Sequence, residues 1–222
     1  MGVKVEIFSD VVCPWCYIGH VRFAKAADRF RAKGGKLDVT FRPYQLNPEA
    51  TSDGEPLLDA LERKFGPNVS QMTQRVTQTA AQEGIETHFH QAISANTFEA
   101  HRLIELATRQ GRGHEMAERL FKAHFTDGLN VGDPDVLAKL TAEVGVQDTG
   151  EGAEAVQEQI DRARSLGITG VPLFLFEEQF TVSGAQPEET FDAVLDEVAQ
   201  RTGQIPLAPA ADGCDDDGYC AV

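Results

Sequence analysis

A chain of 222 residues holding 35 acidic against 20 basic residues carries a formal net charge of −15. That balance excludes a nucleic-acid-binding surface and argues against docking on anionic membranes. The length suits one large domain, or a domain with a substantial insertion, able to bury roughly 70% of its unfolded surface without disulfides. No apolar run reaches about 18 residues, and the first strand follows Met1 without a signal-peptide pattern, so a cytoplasmic protein is expected.

Val3, Val5, Ile7 and Phe8 give the mostly alternating pattern of a strand, broken at Ser9-Asp10. Cys13-Pro14-Trp15-Cys16 follows at once, where the strand turns into a helix. A dithiol in that setting points to redox chemistry, because the unpaired N–H groups and the positive dipole end of a helix favour a thiolate on the first cysteine. Pro14 suits the first helical position, having no N–H to leave unpaired, and one turn returns Cys16 to disulfide reach of Cys13. Trp15 is expected at the lip of the site, against substrate or half-buried on the helix. A zinc site would need a second close pair of ligands, but the other two cysteines, Cys214 and Cys220, have five residues between them. A structural disulfide would not require the strand-to-helix setting. In a reducing compartment a CxxC is more often catalytic than structural, and no metal site is expected.

The first helix should run to Lys33 and stop at Gly34-Gly35, before a second strand in which Leu37, Val39 and Phe41 alternate with polar residues. From Glu55 to Gly167 no strand is predicted. Amphipathic helices are predicted instead at Pro56–Phe65, Val69–Glu83, Thr97–Gln110, His114–Thr126, Pro134–Val144 and Ala153–Leu166. Asn96 is the expected N-cap of the third, with Glu99 completing a capping box. His88 and His90 read as loop residues, and His101 and His124 as helix packing or surface residues. Strands return at Pro172–Phe176 and Phe180–Val182 as an antiparallel hairpin. Pro187 then opens a last helix with Phe191, Val194, Leu195 and Val198 as its buried stripe, ended by Gly203.

Phe8-Ser-Asp-Val-Val-Cys-Pro-Trp-Cys16, Gly170-Val-Pro172 and Val182-Ser-Gly-Ala-Gln186, with Asn96-Thr-Phe-Glu-Ala-His-Arg-Leu103 and Leu120-Phe-Lys-Ala-His-Phe125 between them, resemble the DsbA family of thioredoxin-fold oxidoreductases, in particular its cytoplasmic FrnE-type branch. The resemblance implies an α/β thioredoxin-like fold with an all-helical insertion between the second and third strands. Residues 1–50 and 168–203 would form the thioredoxin-like domain, 51–167 the insertion and 204–222 an acidic tail. It also implies a cis Val171–Pro172 bond facing the CxxC, with the Val171 backbone free to pair with an extended substrate, and places His101 near the active-site face. The function implied is thiol–disulfide exchange through Cys13 and Cys16 with protein or small-molecule disulfides and thiols, in a monomer or homodimer. Cys214 and Cys220 would be a secondary redox pair serving the first, their bland alternative being incidental thiols or a clip on the tail. No bound cofactor is expected; glutathione is the one candidate co-substrate. Two other functions fit the resemblance: a glutathione-dependent isomerase of the 2-hydroxychromene-2-carboxylate type, whose members usually carry Ser where Cys13 stands, and a client-binding holdase.

Overall fold

The computed structural model describes residues 2–203. In chain order the elements are β1 (Val3–Ser9), α1 (Pro14–Ala32), β2 (Leu37–Pro43), β3 (Glu55–Pro56), α2 (Leu57–Phe65), α3 (Val69–Gln82), β4 (Ile93–Ser94), α4 (Phe98–Arg109), α5 (Gly113–Phe125), α6 (Pro134–Val144), α7 (Ala153–Ser165), β5 (Leu173–Phe176), β6 (Phe180–Ser183) and α8 (Glu188–Arg201). The main sheet runs β2-β1-β5-β6, with β1 parallel to β2 and antiparallel to β5, and β5 antiparallel to β6. A parallel pair needs a crossover, which α1 supplies; the β5–β6 hairpin needs only a tight turn. That turn places Glu177 and Glu178 at positive φ, 49° and 56°, and the Glu177 carboxylate accepts from the Lys4 backbone N–H at 2.8 Å. This is the thioredoxin-like α/β fold that the motifs implied, with the helices α2 to α7 inserted between β2 and β5.

The central position of β1 decides its burial. A half-buried strand would leave Glu6 in water, yet both faces of β1 are covered. Val5 and Ile7 stand beside Phe176 and Phe174 in the ladder, and this face closes against α1 and α8 through Phe23 and Phe191. The Phe174 and Phe191 rings meet edge-on at 4.7 Å, a geometry worth about 0.5–1.5 kcal/mol beyond area burial. On the other face Glu6 accepts a bidentate pair from Arg162 of α7, both bonds at 2.8 Å, and a third bond from Arg42 of β2. Burial opposes the charged carboxylate there, but the Arg162 and Arg42 bonds outweigh it and hold Glu6 below the usual carboxylate range.

The insertion does not stand apart from the sheet. Leu103 and Ile104 of α4 and Met116 and Leu120 of α5 belong to the same apolar cluster as Val3, Val5 and Phe23. A second cluster joins Cys13, Cys16 and Ile18 to Leu57, Val76, Ala80, Phe89, Phe121 and Phe125, so the start of α1 is roofed by α2, α3 and α5.

Two expectations are corrected. Glu55 to Gly167 does contain extended pairing, a two-residue ladder of β3 against β4, too short to show periodicity and cut off where Pro56 lacks a donor. The capping box is absent: α4 starts at Phe98 with Thr97 at its N-cap, and Asn96 Oδ1 accepts from the Phe98 N–H at 2.9 Å while its amide donates to the Pro48 carbonyl. Glu99 turns instead to Arg102, a residue 8% exposed whose guanidinium also donates a bidentate pair to Asp148. A buried cation needs those anions more than the helix needs a second cap. The tail pair Cys214 and Cys220 lies outside the described residues.

Candidate active site

Cys13 is the N-cap residue of α1, extended at φ −94° and ψ 114°, with Pro14 in the first turn. Its N–H donates to the Asp10 carbonyl at 3.0 Å, and its own carbonyl accepts from the N–H groups of Cys16 and Tyr17. No side chain caps this helix and no acidic residue occupies its first turn, so nothing competes with the Cys13 sulfur for the positive end of the dipole. Both thiols are free and buried, 5% exposed at Cys13 and 2% at Cys16. Burial, then the hydrogen bond and charge of the neighbouring Cys13 sulfur, push the Cys16 thiol well up. The two sulfurs are therefore unequal: one sits at the N-terminus of a helix, the other is held as a thiol beneath it.

Val171 and Pro172 are brought to this point from across the chain. The Val171–Pro172 bond is cis, and the Cys13 thiol donates to the Val171 carbonyl at 3.8 Å. Pro172 is seated on α1 at Gly19, where an added Cβ would lie 3.1 Å from Pro172 Cγ and 3.4 Å from both the Ala185 Cα and the Phe174 ring. Glycine is thus favoured by close approach, since Pro172, the residue that follows Val171, packs directly on it. Gly19→Ala should leave stability within about 1 kcal/mol, helix propensity offsetting the crowding, while slowing exchange several-fold by shifting Val171 from the sulfur. Thermal melts beside a disulfide-reduction rate check this, and an unchanged rate would show that the contact does not position the loop.

Trp15, 42% exposed, lines a groove with Asn68, Met72 and Arg75 of α3 and its N-cap. A second groove runs past Ile168, Gly170, Val171 and Pro172 to Leu173 and Ser183. The first groove carries the exposed tryptophan of the CxxC, and the second the Val171 segment whose carbonyl accepts from Cys13.

Behind the dithiol sits a polar cluster that the sequence did not disclose. Asp10 is wholly buried; one carboxylate oxygen accepts from the Leu46 N–H at 2.7 Å and the other lies 3.5 Å from His101 Nε2, which donates to the Tyr44 carbonyl. His124 is also wholly buried, with no partner among the described residues for either ring nitrogen, and burial pushes it down to about 4 despite the opposing charge of Asp10. Tyr17 stacks on Phe121 at 5.1 Å, fixing α5 over the first turn of α1. His88 is explained structurally, its Nδ1–H donating to the Thr126 carbonyl.

A buried dithiol at the start of the first crossover helix, faced by a cis-proline segment ahead of the antiparallel strand, defines a thioredoxin-fold dithiol protein. The description "DSBA-like thioredoxin domain" matches residues 4–196, and the chain belongs to that family. It is 33% identical to a probable DsbA oxidoreductase from Streptomyces coelicolor, with a TM-score of 0.81 over 99% of each chain. It is also 29% identical over 210 residues to the uncharacterized protein YwbO of Bacillus subtilis strain 168, covering 89% of this chain and 98% of that one. A 2-hydroxychromene-2-carboxylate isomerase structure has a TM-score of 0.68 at 13% identity, over 90% of this chain and 98% of that chain, a likeness of fold alone. No helix among the described residues is long and apolar enough to cross a membrane.

Proposed function

We propose that the protein is a thiol–disulfide oxidoreductase of the cytoplasmic FrnE-type branch, acting through Cys13 and Cys16 on disulfides or thiols of protein chains. The observation that carries this reading is the unequal pair: Cys13 at an uncapped helix N-terminus against the Val171 carbonyl, with Cys16 buried one turn behind it. In the reducing direction the Cys13 thiolate attacks one sulfur of a substrate disulfide, forming a mixed disulfide and expelling the other sulfur as a thiolate. Cys16 then gives up its proton and attacks Cys13 Sγ. The second substrate sulfur leaves, two electrons have passed to the substrate, and Cys13–Cys16 is left as a disulfide. The oxidising direction is the same sequence reversed.

Protein substrates are favoured over small ones by the surface around the thiols. Trp15, Leu46, Phe65 and Leu166 are the large apolar side chains exposed among the described residues, and Trp15 and Leu166 each line a groove beside the site. Glutathione enters as the redox partner that returns the pair to its starting state. Equilibration of the full chain with glutathione buffers of graded ratio, read by differential alkylation of Cys13, tests the function and its direction. A potential near −270 mV marks a reductase, and one near −120 mV an oxidant. Failure of Cys13 to exchange with glutathione at any ratio would exclude the function.

A further inference from the structure

His20, His114 and Glu118 meet on the side of α1 that faces α5, although all of β2 through α4 lies between the first and the second in sequence. One donor atom from each lies within 4.8 Å of the other two. His114 and Glu118 share a face of α5, with Nε2 and Oε2 3.9 Å apart, and His20 comes from α1, one turn beyond Cys16. The His20 ring stands 4.8 Å from the His114 ring and is otherwise enclosed by Phe41 and Phe121, at 5.4 and 5.9 Å.

Two features of this trio are costly if it serves packing alone. His20 is 3% exposed and its Nδ1 has no hydrogen-bond partner among the described residues, an orphaned polar atom in an aromatic pocket. The neighbour that closes the pocket is a second imidazole, the least suitable group to place there if either ring gains a proton. A cation held between the two imidazoles removes the second cost, and one bound through His20 Nδ1 would remove the first as well. The side-chain exposures, 54% at His114 and 60% at Glu118, leave the outer donors open to solvent and free to change rotamer around a fixed inner one.

We propose that His20, His114 and Glu118 form a binding site for a divalent first-row transition ion of the zinc class. Two imidazole nitrogens and one carboxylate oxygen are a donor set that zinc takes, at about 2.0–2.2 Å, with a fourth position left to water. Donors bound that closely stand nearer to one another than 4.8 Å, so the exposed His114 and Glu118 arms close on the anchored His20. The bound ion would tie the dithiol helix to α5 of the insertion. The expectation of no metal weighed the cysteines and the His88 and His90 pair, and this site uses none of them.

The test separates this site from the thiols. The full chain is stripped of metal by a chelator, oxidised so that its cysteines are disulfides, and titrated with Zn2+ by calorimetry and with Co2+ by absorption. Expected are one ion per chain and a Co2+ spectrum without a thiolate charge-transfer band. His114→Ala and Glu118→Ala, both at exposed positions that leave the fold intact, should each weaken binding at least about tenfold, and Glu154→Ala, exposed on α7, should not. Absence of binding, a thiolate band, equal affinity in the His114→Ala chain, or an equal loss with Glu154→Ala would each overturn the proposal.

Discussion

Cys13→Ser is expected to bring disulfide reduction down to the uncatalysed rate, while Cys16→Ser should accept substrate once and stall as a mixed disulfide. The hydroxyl at position 13 has no accessible anion near neutral pH, so the helix N-terminus has no thiolate to stabilise. In the Cys16→Ser chain the first attack is intact, but the group that would expel the substrate is gone. Neither change should unfold the protein: serine nearly matches cysteine in size, and at position 16 the Ser9 hydroxyl and Asp10 backbone already face the sulfur and can donate to a hydroxyl oxygen in its place. Insulin reduction with a thiol donor reads the rate, and intact mass reads the trapped adduct. A Cys13→Ser chain that still turns over, or a Cys16→Ser chain that forms no adduct, would remove Cys13 from its role as nucleophile.

How much of this was legible in the sequence follows from how far apart the cooperating residues lie. Cys13, Pro14, Trp15 and Cys16 are contiguous, and their setting is announced by the apolar run before them, so the nucleophile and its helix could be placed by local pattern. The six insertion helices were placed within two residues at each end because Gly and Pro punctuate them, as Asp133-Pro134 and Gly145 do for α6: the Asp133 carboxylate caps two N–H groups and Gly145 takes the left-handed conformation. Val171 and Pro172 were placed opposite the thiols by resemblance, since no spacing rule links them to Cys13.

Burial of charge was not legible. Glu6 looks like the polar residue of a half-buried strand until Arg42 and Arg162 arrive from β2 and α7, and Asp10 looks like a strand breaker until His101 and the Leu46 N–H enclose it. The same holds for His20, which reads as one polar residue on a long helix. In each case the partner comes from a segment whose position depends on the completed fold, and local periodicity contains no term for it.

His124 yields a prediction that isolates one buried group. Its unfolded value is 6.5 and its folded value about 4, so between those pH values the unfolded chain takes up a proton that the folded chain refuses. The unfolded state binds more protons in that window, and stability therefore falls as pH falls through it; above pH 6.5 the group has no effect. At pH 5 the difference is roughly 1.5 units, or about 2 kcal/mol at 1.36 kcal/mol per unit. The charge facing His124 is that of Asp10, which pulls the other way but does not overcome burial. His124→Leu, close to the same volume, removes the titration and two nitrogens without partners among the described residues, so it should be neutral or stabilising at pH 7.5. Urea unfolding of both proteins at pH 7.5, 6 and 5 then gives the result as a difference: the advantage of the variant should grow by about 2 kcal/mol across the series, because every other titrating group is common to both chains. Below about pH 4.5 the wild type and the variant should lose stability together, as Glu6 and then Asp148, held down to about 2 by Arg102, are protonated away from their arginines. A constant difference between the two proteins from pH 7.5 to 5 would mean that His124 is protonated in the folded state and that Asp10, not burial, governs it.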